Sequence, residues 1–99
     1  MKRITAKELA GKLQNGEKLN IIDVREVGEV ATGKIPTATN IPLGLIEFRM
    51  QDLDKKEKYY IVCRSGARSS QAVMFLEYQG FDVTNMDGGM MAWEDEMEF

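Results

Sequence analysis

The chain has 99 residues, a formal net charge of -3, one cysteine and no histidine. That length allows a single domain, residues 1–99, and the acidic balance excludes a general nucleic-acid partner, because binding phosphates needs a basic surface. One cysteine without histidine excludes an internal disulfide, a Cys-rich zinc site, a Cys-His dyad and a Ser-His-Asp triad.

In chain order, Thr5-Ala6-Lys7-Glu8 has the form of a capping box, and Ala6, Leu9, Ala10 and Leu13 repeat at helical spacing until Asn15-Gly16. Leu19 to Val24 reads as a buried strand. A short helix through Val27 and Val30 follows, stopped by Gly33. Ile35 before Pro36 is extended. Asn40-Ile41-Pro42 reads as a very short strand, and Pro42 to Met50 as the start of a helix with Leu45, Ile46 and Met50 apolar. The charge-rich run Asp52 to Lys58 is expected to be a solvated connection. Tyr59 to Val62 is a strand with β-branched and aromatic residues. Ser69 to Tyr78 is a helix stopped by Gly80, Phe81 to Met86 a strand, and Gly88-Gly89 a turn into a last helix holding Met90, Met91, Trp93 and Met97. Strands alternating with helices predict an α/β domain with a mostly parallel sheet. Ligands of such sheets sit beyond the carboxyl ends of the strands, where Asp23 and Cys63 both fall.

No apolar run approaches the roughly 18 residues of a membrane helix, and the amino terminus lacks the apolar stretch of a signal peptide. A cytoplasmic, membrane-free monomer is expected.

The most informative segment is Ile61-Val62-Cys63-Arg64-Ser65-Gly66-Ala67-Arg68-Ser69. It places the thiol at the carboxyl end of a strand and the amino end of a helix. Backbone N–H groups at such a turn converge and favour an anion. A thiol there ionises more easily than free cysteine, whose pKa is about 8.5. Without histidine, that activation falls to backbone dipoles and to Arg64 and Arg68. Gly66 lets the loop curl through positive φ, and Ser69 is expected to cap the following helix through its hydroxyl. A lone cysteine is more often a small buried hydrophobe. The Arg-Ser-Gly-Ala-Arg sequence behind this one favours reactivity.

Three separated motifs resemble the single-domain rhodaneses, a family of sulfurtransferases. Ile21-Ile22-Asp23-Val24-Arg25-Glu26 with Gly33-Lys34-Ile35-Pro36, continued by Asn40-Ile41-Pro42-Leu43, resembles the first signature. Val62 to Ser69 resembles the active-site loop, and Gly88-Gly89-Met90-Met91-Ala92-Trp93 the closing motif. The resemblance covers nearly the whole chain. It implies a sheet of about five mostly parallel strands with helices on both faces, and a persulfide on Cys63. Two positions depart from the family: Lys34 stands where histidine is common, and Thr37 where glycine is common. Both bear on the rim of the pocket and on donor preference.

The implied reaction takes a sulfane sulfur from a small anionic donor such as thiosulfate onto Cys63, then passes it to a thiophilic acceptor: cyanide, a thiol or a sulfur-relay protein. Cys63 is the expected nucleophile. Arg64, Ser65, Gly66, Ala67, Arg68 and Ser69 are the expected substrate-binding loop, with Arg68 alternatively structural through a salt bridge. Asp23 and Arg25 are expected to be a supporting, partly buried pair. Glu26 and Glu29 are expected to be solvated. Trp93 and the methionines are expected to pack the core, and no metal or organic cofactor is required.

Two other classes stay open. One is a carrier module without turnover that hands persulfide sulfur to a partner protein. The other is a phosphatase or arsenate reductase. Phosphatases related to this family use Cys-x5-Arg, whereas Cys63 to Arg68 is Cys-x4-Arg, and no second cysteine is present to support an arsenate reductase thiol cascade.

Overall fold

The computed structural model describes residues 1–99. Its elements are β1 (Lys2–Thr5), α1 (Ala6–Gln14), β2 (Asn20–Asp23), α2 (Val27–Val30), β3 (Thr39–Asn40), α3 (Ile46–Arg49), β4 (Lys58–Val62), α4 (Ala67–Tyr78) and β5 (Asp82–Asp87). Single 3-10 turns cover Leu43–Leu45, Met50–Asp52 and Gly89–Ala92. The strands form one sheet in the order β1-β5-β4-β2-β3, and every pair is parallel.

The central strand, β4, sets the layers. Tyr59 and Ile61 point into an apolar cluster with Ile46 of α3 and Ala72, Val73 and Leu76 of α4. Tyr60 and Val62, one residue out of phase, point to the opposite face, against Leu9 and Ala10 of α1 and against Trp93. A strand buried on both faces reads as a continuous apolar run, as Tyr59 to Val62 does. Full burial of side chains such as Ile61, Leu76 and Leu9 is worth about 1.5–3 kcal/mol each.

Local chemistry explains most of the boundaries. Thr5 Oγ accepts from the Glu8 amide at 3.0 Å, and the Glu8 carboxylate accepts from the Thr5 amide at 3.0 Å, so the capping box is complete. Asn15 caps the far end of α1, with Gly16 at φ 80° behind it.

Five readings of the sequence need correction. Lys2–Thr5 is a strand, unseen in the sequence because only Ile4 of its four residues is buried. It pairs along β5 from Lys2 opposite Thr84 to Thr5 opposite Asp87. Strand β3 lies at Thr39–Asn40, before Pro42 rather than up to it. Pro42 to Met50 is not one helix but a 3-10 turn, the single α turn α3 and the start of another 3-10 turn. Helix α4 begins two residues before Ser69, with Gly66 as its cap at φ 107°. The segment after Gly88-Gly89 makes only one 3-10 turn, because Trp93 is extended at φ -80°, ψ 119°.

No helix is long and apolar enough to cross a membrane.

Candidate active site

Strand β4 delivers Cys63 to the carboxyl edge of the sheet, between the loops that follow β2 and β5. Its side chain is 1% exposed and belongs to the cluster of Ile61, Val83, Ala72 and Val73. Apolar burial alone would raise a thiol pKa. The loop above it works the other way. The Gly66 amide donates to Cys63 Sγ at 3.0 Å, and Ser69 Oγ lies 3.3 Å from the same sulfur. Burial is the largest single influence and pushes the thiol up. The Ser69 hydroxyl, with the amides of Ser69, Gly66 and Ser65, pulls it down further, and the net direction is downward. The sulfur is therefore both shielded and biased toward thiolate.

Gly66 makes this possible. At φ 107° its N–H turns inward while its carbonyl caps α4. That carbonyl accepts from the Ser70 amide at 3.1 Å, from Ser70 Oγ at 2.7 Å and from Ser69 Oγ at 3.1 Å. Ser69 is thus the third residue of the helix and not its cap. Its hydroxyl is placed between a carbonyl and the sulfur.

The loop rests on the turn after β5. Met90 N–H donates to Cys63 O at 2.8 Å, and Met91 N–H to Arg64 O at 2.9 Å. Gly89 sits against these carbonyls so closely that a Cβ there would lie 2.4 Å from the Arg64 carbonyl and 2.6 Å from Cys63 O. The glycine pair read as a motif is a backbone buttress for the thiol loop.

The arginines divide. Arg68 is held by Glu29 of α2 through bonds of 2.6 and 2.8 Å, both side chains about one-third exposed. The sequence suggests a solvated Glu29; instead it is half-buried and ion-paired. The Arg68 guanidinium first, and the Glu26 amide second, lower its pKa to about 2. The partner lies 39 positions away, which is why local sequence did not show it. Arg64 is exposed, and its side chain makes no hydrogen bond or ion pair.

Asp23 and Arg25 form a buried, two-pronged pair. Arg25 Nη2 donates to Asp23 Oδ2 at 2.8 Å and Nε to Oδ1 at 3.0 Å. Arg25 also donates to the carbonyls of Gly33 at 2.8 Å and Glu29 at 3.3 Å, and so ties down the carboxyl end of α2 and the turn behind it. Neither residue bonds to the sulfur. Removing one partner would strand a buried charge, at a cost of about 3–5 kcal/mol.

Beside the loop is a cavity of about 540 Å³. Arg64 is the only residue of the thiol loop on its wall, which also includes Arg25, Glu29, Thr32, Met90, Met91, Trp93 and Met97. The methionines, read from sequence as core packing, include Met91, which is largely exposed here. Lys34 holds the chain terminus against this region. Its backbone exchanges two 2.9 Å bonds with Glu98, and its Nζ meets Glu98 Oε1 at 2.6 Å. Thr37, in the same loop, has φ 71°.

A parallel five-stranded sheet with an anion-favouring Cys63 loop at its carboxyl edge agrees with comparison against known proteins. The Rhodanese-like domain model matches residues 5–96, and the chain belongs to that family. Bacillus subtilis YtwF, provisionally named a sulfurtransferase, is 47% identical over 96 residues, covering 97% of this chain and 93% of that one. A sulfurtransferase of Allochromatium vinosum is 41% identical, covering 91% of this chain and 85% of its own. The crystal structure of a rhodanese-like domain protein from Staphylococcus aureus superposes with a TM-score of 0.94 at 45% identity, covering 100% of this chain and 98% of that one.

Proposed function

We propose that the protein is a sulfurtransferase in which Cys63 carries the sulfur in transit as a persulfide. The supporting observation is the sulfur of Cys63 held by the Gly66 amide at 3.0 Å and the Ser69 hydroxyl at 3.3 Å, at the carboxyl edge of the sheet. The Cys63 thiolate attacks the sulfane sulfur of a small donor, of which thiosulfate is the simplest. The donor S–S bond breaks, its electron pair leaves with sulfite, and Cys63-S-S⁻ remains. A nucleophilic acceptor, cyanide or a thiol, then attacks the outer sulfur and restores the thiolate. One sulfur atom moves in each half-reaction, so no outside oxidant or reductant is needed. Covalent storage between two half-reactions predicts ping-pong kinetics. The same donors that favour the thiolate face the persulfide anion, and each well-aimed donor of this kind contributes roughly 3–4 kcal/mol to charge stabilisation.

Intact mass after incubation with thiosulfate tests the reading. One added sulfur atom is expected, removed by cyanide and absent in Cys63→Ser. No added sulfur from thiosulfate or from an organic persulfide, or transfer retained by Cys63→Ser, overturns it. Fast transfer to one partner protein with negligible cyanide turnover would mark a carrier. Aryl phosphate hydrolysis lost in Cys63→Ser would mark a phosphatase.

A further inference from the structure

The positive charge at the mouth of the site is smaller than its three arginines suggest. Arg25 is matched by Asp23 at 2.8 Å and Arg68 by Glu29 at 2.6 Å. Glu26 adds a second carboxylate to the field at Arg68. Arg64 alone has no partner. A dianion approaching a Cys63 thiolate therefore meets one free cation, Arg64, set against the thiolate itself and the Glu26 carboxylate. The adjoining cavity, of about 540 Å³, is lined by Met90, Met91, Trp93 and Met97 together with Arg25, Glu29, Thr32 and Arg64. It has room for an organic group, and polarisable thioethers suit a sulfur-bearing one.

From these two features we infer that Glu29 determines donor specificity, neutralising Arg68 so that the site disfavours dianionic thiosulfate and favours an organic persulfide of low charge seated beside Arg64. The inference rests on the sulfurtransferase reading above. In the favoured step, the Cys63 thiolate takes the terminal sulfur of the organic persulfide. The donor S–S bond breaks and its electron pair leaves with the organic thiolate. The atoms and charges balance without a further reagent.

Glu29→Gln leaves Arg68 with a neutral partner and adds one unit of positive charge to the mouth. Loading of Cys63 is followed by intact mass with two probes, thiosulfate and N-acetylcysteamine persulfide. The wild type is expected to load faster from the persulfide. Glu29→Gln is expected to raise kcat/KM for thiosulfate about tenfold, the scale of one unit charge acting on a dianion a few ångströms away, and to change the persulfide value less than about twofold. Adding Arg68→Ala to Glu29→Gln is expected to cancel the gain. An unchanged or lowered thiosulfate rate in a folded Glu29→Gln overturns the inference while leaving the sulfurtransferase reading intact. If neither probe loads the wild type, that reading itself fails. Should Glu29→Gln not fold, salt decides. Wild-type thiosulfate loading is expected to fall less than about threefold between about 0.05 and 0.5 M salt. A steeper fall would show two free cations at the mouth and overturn the inference.

Discussion

Ser69 has one hydroxyl proton and two acceptors within reach, Gly66 O at 3.1 Å and Cys63 Sγ at 3.3 Å. Gly66 O already accepts from the Ser70 amide and Ser70 Oγ, so the Ser69 proton can turn to the sulfur without leaving a carbonyl orphaned. A hydrogen bond to a charged group is worth about 1.5–3 kcal/mol, so Ser69→Ala should slow sulfur loading at pH 7 by roughly tenfold or more. The rate should recover as pH rises, because the missing bond favours the thiolate. A pH-independent loss would assign Ser69 to packing alone. Thr37 is the other residue under local constraint. A β-branched side chain at φ 71° sits in the left-handed region that costs L-residues roughly 1–2 kcal/mol. Thr37 is exposed, so little packing opposes its removal. Thr37→Gly should stabilise the fold by about 0.5–1 kcal/mol after the entropy of glycine is charged against it. Urea unfolding measures this directly, and a loss of stability would mean that the side chain makes a contact worth more than the strain.

Gly89 links two elements, the turn after β5 and the loop after β4. A Cβ at 2.4 Å from backbone atoms of Arg64 cannot be absorbed by a flexible side chain, so one of the two backbones must move. Gly89→Ala should cost about 2–3 kcal/mol. A shift of the Cys63 loop by about 1 Å should cut sulfur loading on the order of a hundredfold per folded molecule. Gly80→Ala is the matching control: its φ is 95°, but its nearest neighbour is the end of Lys55 at 3.8 Å. It should lose stability and keep loading. Equal loading in the two variants would remove the buttress from the account. What the sequence shows of these elements follows their range. The α1 capping box, the β4 run and the strand–loop–helix order at Cys63 are local, and each is legible in adjacent residues. β1 is not, because Lys2 and Arg3 carry no strand signal and its partner lies some eighty positions away. The closing helix misread from Met90 and Met91 fails for the same reason. Their amides are drawn to Cys63 O and Arg64 O, a demand no local pattern states. Ser69 is not the cap its position in the sequence suggests, because the positive φ of Gly66 starts α4 earlier.

Across the whole molecule, three lowered carboxylates join segments distant in sequence or end a helix. Glu8 closes the α1 cap, Glu98 holds the terminus to Lys34, and Glu29 ties α2 to α4. Glu29 is the most displaced, from 4.5 to about 2, chiefly by the Arg68 guanidinium. Because its folded value lies below its unfolded one, ionised Glu29 stabilises the fold fully above pH 4.5. That contribution drains away as protons bind, and is gone near pH 2. Partial exposure screens the pair, so the size of the effect is modest, while its window is fixed by the two pKa values. Denaturant midpoints for wild type and Glu29→Gln should therefore differ most at neutral pH, converge below pH 4.5 and meet near pH 2. A gap between the two that stays constant across this range would mean that Glu29 stabilises by shape and not by charge. In that case neutralisation of Arg68 would have no support from stability, and only the donor kinetics could sustain it.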